Sequence, residues 1–155
     1  MTFMDDIKTV LVADTGAGGV ATLCTGGIFT YAQTGRNGIT RLMASAPYDG
    51  TTGLLKPCCL VKGREMVPDG GIDDDITQDV SYRQVVELWF YDDGDNAYTT
   101  IESARSRAKV LLHGKMIGTS KFIPHWVGEI LTQQRDEALE NALMIRSDYA
   151  IRAIG

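Results

Sequence analysis

The sequence predicts an α+β fold of two layers, in which a mainly antiparallel sheet of about four to five strands carries two helices. Three observations lead to this prediction. Residues 84–91 alternate with the period of two that a half-buried strand requires. Residues 97–112 repeat their apolar side chains with the helical period of about 3.6 residues. The other strand-like segments are separated mostly by short turns, which favour antiparallel pairing.

The first part of the chain is predicted to contain a helix and two strands. Residues 2–14 form the helix, with Thr2 as its cap and a single apolar stripe made of Phe3, Ile7, Val10 and Leu11. The glycines that follow end this helix, and residues 20–23 add a short helical turn. Strands are predicted at 28–32 and at 58–66, where the continuous apolar start is typical of a strand buried on both faces.

A long segment, 33–56, lies between these two strands and is rich in Gly, Thr, Ser and Pro. Loops of this length are uncommon inside a compact domain, and they usually serve a function or lack order. Residues 69–75 form a second, acidic loop. We expect both segments to dock on neighbouring chains and to become ordered only in an assembly.

The strand at 84–91 has two different faces. Its core face consists of Val86, Leu88 and Phe90. The opposite face mixes charges with large aromatic side chains, a combination that suits a contact between subunits better than bare solvent. That face contains Arg83, Val85, Glu87, Trp89 and Tyr91.

The last part of the chain is predicted to contain the helix at 97–112 and two further strands. Gly114 is expected to end the helix. The strands are placed at 121–133 and 139–153, and Pro124 restricts the first of them to a sheet edge or to its own start.

Composition and charge limit the kind of protein this is. The 155 residues fit a single domain spanning 1–155, since domains cluster at roughly 100–150 residues. A formal net charge of −5 argues against a protein that grips nucleic-acid phosphates. The sequence lacks a signal peptide and any apolar stretch near the roughly 20 residues that span a bilayer. These features predict a soluble protein that is made in a cytoplasm.

The three cysteines do not describe a secreted disulfide scaffold, because their number is odd and their spacing forms no framework. Cys58 and Cys59 are adjacent, so on a strand they point to opposite faces. Together with Cys24 they are interpreted as small apolar residues of the interior.

No candidate catalytic or cofactor site has the spacing that its chemistry requires. The glycine-rich stretch 14–19 lacks the Gly-Lys-Ser/Thr ending of a phosphate loop, and it follows a helix where a strand is needed. His113 and His125 have no cysteine or acid at metal-ligand spacing. We therefore expect no enzyme, no catalytic residue and no cofactor.

Two acidic clusters were weighed as cation sites. The first is Asp92, Asp93, Asp95 and Asn96, but Ser103 stands where a calcium loop requires its glutamate. Capping of the following helix by Asp95 or Asn96 explains that cluster better. The second is Asp73, Asp74 and Asp75, where a solvated acidic loop is favoured over a weak divalent-cation site.

A family resemblance is carried by segments spread over nearly the whole chain. These are residues 11–14, 26–29, 55–62, 85–91, 101–113, 136–139 and 146–149. In this order they resemble the bacteriophage tail terminator and tail-completion proteins, which join head and tail at the neck. The matching segments contain no catalytic motif.

The resemblance implies a hexameric ring that caps the head-proximal end of the tail tube, ends tail growth and joins the tail to the head connector. The implied partners are other copies of the chain, the tail-tube protein and the head-connector or neck proteins. Genomic DNA would pass through the channel without specific binding, and no membrane or cofactor would take part. The implied location is the tail or neck of the virion, after assembly in the host cytoplasm.

A ring requires heterologous contacts that close by rotation. Sheet edges at Ile28 or Lys121 are candidates for pairing with neighbouring chains. The candidate interface residues are Arg83, Glu87, Trp89, Tyr91, Asp73, Asp74 and Asp75. The alternatives are another neck component, such as a head-completion or stopper protein, a small divalent-metal-binding domain at Asp73–Asp75 with His125, and a stand-alone binding module.

Overall fold

A computed structural model describes residues 3–30, 47–63, 67–68, 82–118, 122–136 and 142–153. The helices in these ranges are α1 (Phe3–Val12), α2 (Val20–Leu23) and α3 (Thr99–Leu112). The strands are β1 (Gly27–Thr30), β2 (Cys58–Gly63), β3 (Val67–Pro68), β4 (Tyr82–Asp92), β5 (Phe122–Asp136) and β6 (Ala142–Ala153). The predicted α+β class is confirmed. No helix in the described ranges has the length and apolar character to cross a membrane.

The strands form a mixed sheet in the order β1–β2–β4–β6–β5, and the short β3 pairs with β4. Four of the pairings are antiparallel, as predicted. The pairing of β1 with β2 is parallel, with Gly27 opposite Cys58 and Thr30 opposite Val61. This one parallel pair is compatible with a mainly antiparallel sheet, because the chain between residues 30 and 58 is long enough for the crossover that parallel strands need.

The helices lie on one face of this sheet, and the helical turn predicted at residues 20–23 is confirmed as α2. The apolar stripe of α1 is confirmed, since Ile7 and Leu11 are buried and Phe3 packs beside them. Helix α3 buries one side chain in each turn, and Gly114 ends it with a left-handed φ of 72°. The buried residues of α3 are Ile101, Ala104, Ala108 and Leu112.

The central strand β4 carries the main core, because it pairs with β2 on one side and with β6 on the other. Val86, Leu88 and Phe90 are completely buried beneath the helices, which confirms the predicted core face. The neighbouring strands add Cys59, Val61, Leu143, Ile145, Tyr149 and Ile151 to the same core.

A second, smaller apolar cluster lies on the opposite face of the sheet. Its buried members are Phe29, Leu55, Cys58, Leu60, Tyr91, Ala142 and Met144. Cys58 therefore packs in this cluster while Cys59 packs in the main core, as the alternation predicted. All three cysteines are free and buried, and burial raises the pKa of the Cys24 thiol to about 12. Such thiols are apolar packing groups with little thiolate at neutral pH.

Part of the predicted loop 33–56 has a fixed structure in the single chain. Tyr48 and Leu55 form an antiparallel bridge. Between them, Asp49 Oδ1 accepts hydrogen bonds from the N–H groups of Thr51 at 2.8 Å and Thr52 at 3.0 Å. The expectation that this segment orders only in an assembly is thus wrong for residues 47–56, because Asp49 organises a local turn. The rest of that loop and the acidic loop 69–75 lie outside the described residues.

The turn between β4 and α3 also differs from the prediction. Helix α3 has Tyr98 as its N-cap residue, and no side chain caps it. Instead, Asp92 Oδ1 accepts hydrogen bonds from the Asp93 N–H at 2.8 Å and from the Asn96 side-chain amide at 3.0 Å. The capping role assigned to Asp95 or Asn96 is wrong, because these residues lie in a turn that is built around Asp92. Burial raises the pKa of Asp92, although these hydrogen bonds oppose the shift.

The glycine-rich segment after α1 is ordered by an ion pair. Asp14 accepts two hydrogen bonds from the Arg107 guanidinium, with Nε at 2.9 Å and Nη2 at 3.0 Å. The same carboxylate accepts the Val20 N–H at the start of α2. Asp14 therefore ties the start of α2 to α3, whereas the sequence predicts only that the glycines here end α1.

The Asp14 contact predicts an acid-dependent loss of stability. Its hydrogen bonds with Arg107 lower the pKa of Asp14 below the ordinary value of 3.8. The folded pKa is thus below the unfolded one, so the contribution is complete above the unfolded pKa and is lost as pH falls through the folded pKa. Asp14→Asn is expected to lower the melting temperature by about 2 °C at neutral pH, because a surface ion pair with one exposed partner, here Arg107, contributes little.

Thermal melts of Asp14→Asn and the unmodified chain from pH 7 to pH 2 test this expectation, and the difference between them should shrink in acid. Asp95→Asn is the matched control, because it neutralises an exposed carboxylate outside this ion pair. A difference for Asp14→Asn that stays constant down to pH 2 contradicts the assignment.

The two edges of the sheet are β1 and β5, which places the predicted edges correctly. Pro124 lies in β5, where the lack of an N–H is tolerated. The register of β5 against β6 shifts between Trp126 and Gly128 and again between Ile130 and Gln134. Bulges of this kind bend an edge strand and increase its twist.

Candidate interaction face

The face of the sheet opposite the helices combines charged and aromatic side chains on three adjacent strands. Lys62 of β2, Glu87 of β4 and Asp148 of β6 occupy one row across the sheet. In the next row whose side chains lie on the same face, Trp89 of β4 lies between Leu60 and Arg146. We refer to Lys62, Glu87, Trp89, Arg146 and Asp148 together as the Trp89 cluster.

Trp89 is held in place by neighbours on all three strands. Its indole Nε1–H donates a hydrogen bond of 3.0 Å to Glu87 Oε2. The Lys62 Nζ lies 4.5 Å from the indole centroid, and the Arg146 guanidinium carbon lies 5.4 Å from it. The Tyr91 ring stacks beside it at a centroid distance of 6.4 Å. Each such cation–π contact is worth about 0.5–1 kcal/mol at an exposed site, so the indole is fixed before any partner arrives.

Arg146 balances the acids of the cluster. Glu87 and Asp148 are direct cross-strand partners, an arrangement in which two like charges repel each other. The Arg146 Nε lies 3.1 Å from Asp148 Oδ1, and its Nη1 lies 3.9 Å from Glu87 Oε1. The guanidinium therefore offsets the repulsion between the two carboxylates.

The structure brings together the predicted interface residues of β4, but it leaves them with different exposure. Trp89 is half-buried, whereas Glu87 and Tyr91 are buried. Tyr91 belongs to the second apolar cluster, so the expected open face is closed there by the chain itself. The backbone of Arg83 pairs with Val67 of β3.

Asp73, Asp74 and Asp75, the remaining candidate interface residues, lie outside the described residues. The assignment of all seven candidate residues to a contact between subunits stays a prediction.

Sequence reasoning did not assign Lys62, Arg146 and Asp148 to this site. No local pattern in the sequence indicates that Arg146 and Asp148 lie beside Trp89. That neighbourhood depends on the registers of β2 and β6 against β4. Tryptophan and arginine are enriched among the residues that dominate interface energies, and a rigid indole between two cations is a suitable anchor.

The residues weighed as metal ligands are arranged differently from a metal site. His113 and His125 have ring centroids 6.0 Å apart in an edge-to-face contact. The His113 Nδ1 accepts a hydrogen bond of 2.9 Å from the Trp126 N–H. Within the described ranges, no group of three or more His, Cys, Asp or Glu side chains is arranged to hold a metal ion.

Comparison with known proteins identifies a structural relative. No family model matches the chain, and no curated protein matches its sequence. A solved structure titled "Virion of native gene transfer agent (GTA) particle" contains a similar chain, with a TM-score of 0.59 and 12% sequence identity. The two chains share a fold. The alignment covers 99% of this chain and 95% of that chain, so the similarity extends over nearly the full length of both.

Proposed function

We propose that this chain is a structural virion protein that forms a hexameric ring at the head-proximal end of a phage tail tube. The ring would end tail growth and join the tail to the head connector, without catalysing a reaction. The similarity to a chain of a virion particle over 99% of the present chain carries the proposal. The resemblance of the sequence to tail terminators supports the head-proximal end of the tail as the position of the ring.

The arrangement of the sheet suits such a ring. A heterologous contact joins two different surfaces, and the chain has different elements at the two ends of its sheet, the short β1 and the long β5. The Trp89 cluster adds a preorganised anchor on the face that the helices leave uncovered. A net charge of −5 is compatible with DNA that passes through a channel without adhering to it.

Deletion of the gene from the phage that encodes it tests this function. Negative-stain electron microscopy is expected to show tail tubes of uncontrolled length and heads without tails. Complementation with the unmodified chain should restore normal particles. Trp89→Ala is expected to restore at least tenfold fewer particles, because loss of a central aromatic anchor typically costs 2 kcal/mol or more of binding energy. Val110→Ala, an exposed helix position, is the matched control and should restore particles fully.

The alternative role is that of another neck component, such as a head-completion or stopper protein. Tails of normal length that fail to join heads in the deletion would favour this role over tail termination. Pull-down of the purified chain against tail-tube protein and against portal-side proteins separates the two roles directly. A terminator is expected to retain the tail-tube protein.

A further inference from the structure

Residues 114–117, which follow α3, lie along the outer edge of the first half of β5. Ile117 and Phe122 exchange two backbone hydrogen bonds, of 2.9 Å and 3.1 Å. Two residues further along, the Pro124 carbonyl accepts the Gly114 N–H at 2.8 Å. Alternate residues of an antiparallel strand turn their backbone groups to the same side. Phe122, Pro124 and Trp126 therefore face away from β6, and the chain itself closes the first two of these positions.

At the third outward position, Trp126, the hydrogen-bond acceptor is a side chain and not a backbone carbonyl. The outward Trp126 N–H donates to the Nδ1 of His113 at 2.9 Å. His113 is the C-cap residue of α3, and its own N–H donates to the Lys109 carbonyl at 3.0 Å, which fixes its backbone. An imidazole nitrogen accepts a hydrogen bond only while it carries no proton. The closure at Trp126 can therefore change with pH, whereas the amide–carbonyl closures at Phe122 and Pro124 cannot.

The surroundings of His113 contain further cationic or titratable groups. The His125 ring from β5 lies at 6.0 Å, edge to face. The Lys109 Nζ, one turn earlier in α3, lies 3.7 Å from the centroid of the Trp126 indole. Lys115 follows in the connection to β5 and is exposed.

We propose that His113 protects the outer edge of β5 in a pH-dependent manner. The Nδ1 of its neutral imidazole accepts the hydrogen bond of the Trp126 N–H, and protonation of Nδ1 breaks that hydrogen bond. A free N–H on a sheet edge is the group that an added strand uses for pairing, so the neutral imidazole protects this position. This role goes beyond the proposed ring function and does not depend on it.

Amide hydrogen exchange of the full chain, measured by NMR at pH 7.5 and pH 5.0, tests whether His113 protects the edge in this way. The protection factor of the Trp126 amide is expected to fall about fivefold to tenfold at the lower pH, as for the loss of one net hydrogen bond. The Phe122 amide is the internal control, since its acceptor is the Ile117 carbonyl, and its protection should not change. Equal protection of Trp126 at both pH values would overturn the proposal.

Two variants decide which histidine is responsible. His113→Ala removes the acceptor, so the Trp126 amide should have low protection at both pH values. His125→Ala keeps the acceptor and removes only the ring beside it, so the fall in protection at pH 5.0 should persist. If the fall in Trp126 protection at pH 5.0 persists in His113→Ala, or disappears in His125→Ala, another group causes it. Either result contradicts the proposed role of His113.

Discussion

Replacing Phe90 with alanine is expected to lower the free energy of unfolding by about 3–5 kcal/mol. Phe90 is completely buried in the middle of β4, the strand that pairs with both β2 and β6. The substitution removes a whole aromatic ring between the sheet and the helices. Since strands on both sides fix the β4 backbone, the surroundings can collapse only partly into the cavity. Urea unfolding followed by far-ultraviolet circular dichroism measures the change.

Val110→Ala is the control for this prediction. Val110 also loses methyl groups on truncation, but its side chain is 60% exposed on the outer face of α3. We expect a change within about 0.5 kcal/mol for this variant. A Phe90→Ala variant that is no less stable than Val110→Ala would show that β4 does not carry the main core.

Gly118→Ala is expected to destabilise the chain by about 2–4 kcal/mol, from backbone strain and a steric clash together. Gly118 has a φ of 76°, a conformation that side chains with a Cβ rarely adopt. An added Cβ would lie 2.5 Å from Asp6 Oδ2 and 2.9 Å from the Phe122 ring. Both neighbours are buried, so neither can move away freely. Urea unfolding is again the measurement.

Gly53→Ala separates the two contributions to that loss. Gly53 has nearly the same backbone conformation, with a φ of 72°, but no atom lies within 4 Å of an added Cβ. It should therefore show the strain alone, about 1–2 kcal/mol. Equal losses at the two glycines would mean that the contact with Asp6 and Phe122 contributes nothing.

The elements that the sequence predicts best are those with a strong local period. The alternation around Val86, Leu88 and Phe90 identifies both the strand and its buried face, because each side chain needs only its own neighbours in sequence to be placed. The same holds for the stripe of α3 and for Gly114 at its end. Pro124 restricts β5 to an edge through the chemistry of one residue, and the structure has β5 there.

A local sequence period does not predict features that depend on residues far apart in the sequence. The parallel pairing joins β1 and β2, which are far apart in the sequence, so no local pattern indicates it. The capping prediction for α3 is wrong because Asp93 and Asn96 lie in a turn around the Asp92 carboxylate, and the helix begins only at Thr99. The sequence predicts Trp89 as a contact residue, but its position between Lys62 and Arg146 depends on two cross-strand registers.

The opposite orientations of Cys58 and Cys59 give the chain two natural probes of its own opening. Thiol reagents attack the thiolate, which burial suppresses, so each sulfur reacts only when its surroundings separate. Cys59 lies beneath the helices and Cys58 lies in the cluster on the other face. Labelling rates of single-cysteine variants would therefore report separately how often each side of the sheet is exposed by local unfolding. If the proposed ring covers the Cys58 side, its assembly should slow the labelling of that sulfur more than the labelling of Cys59.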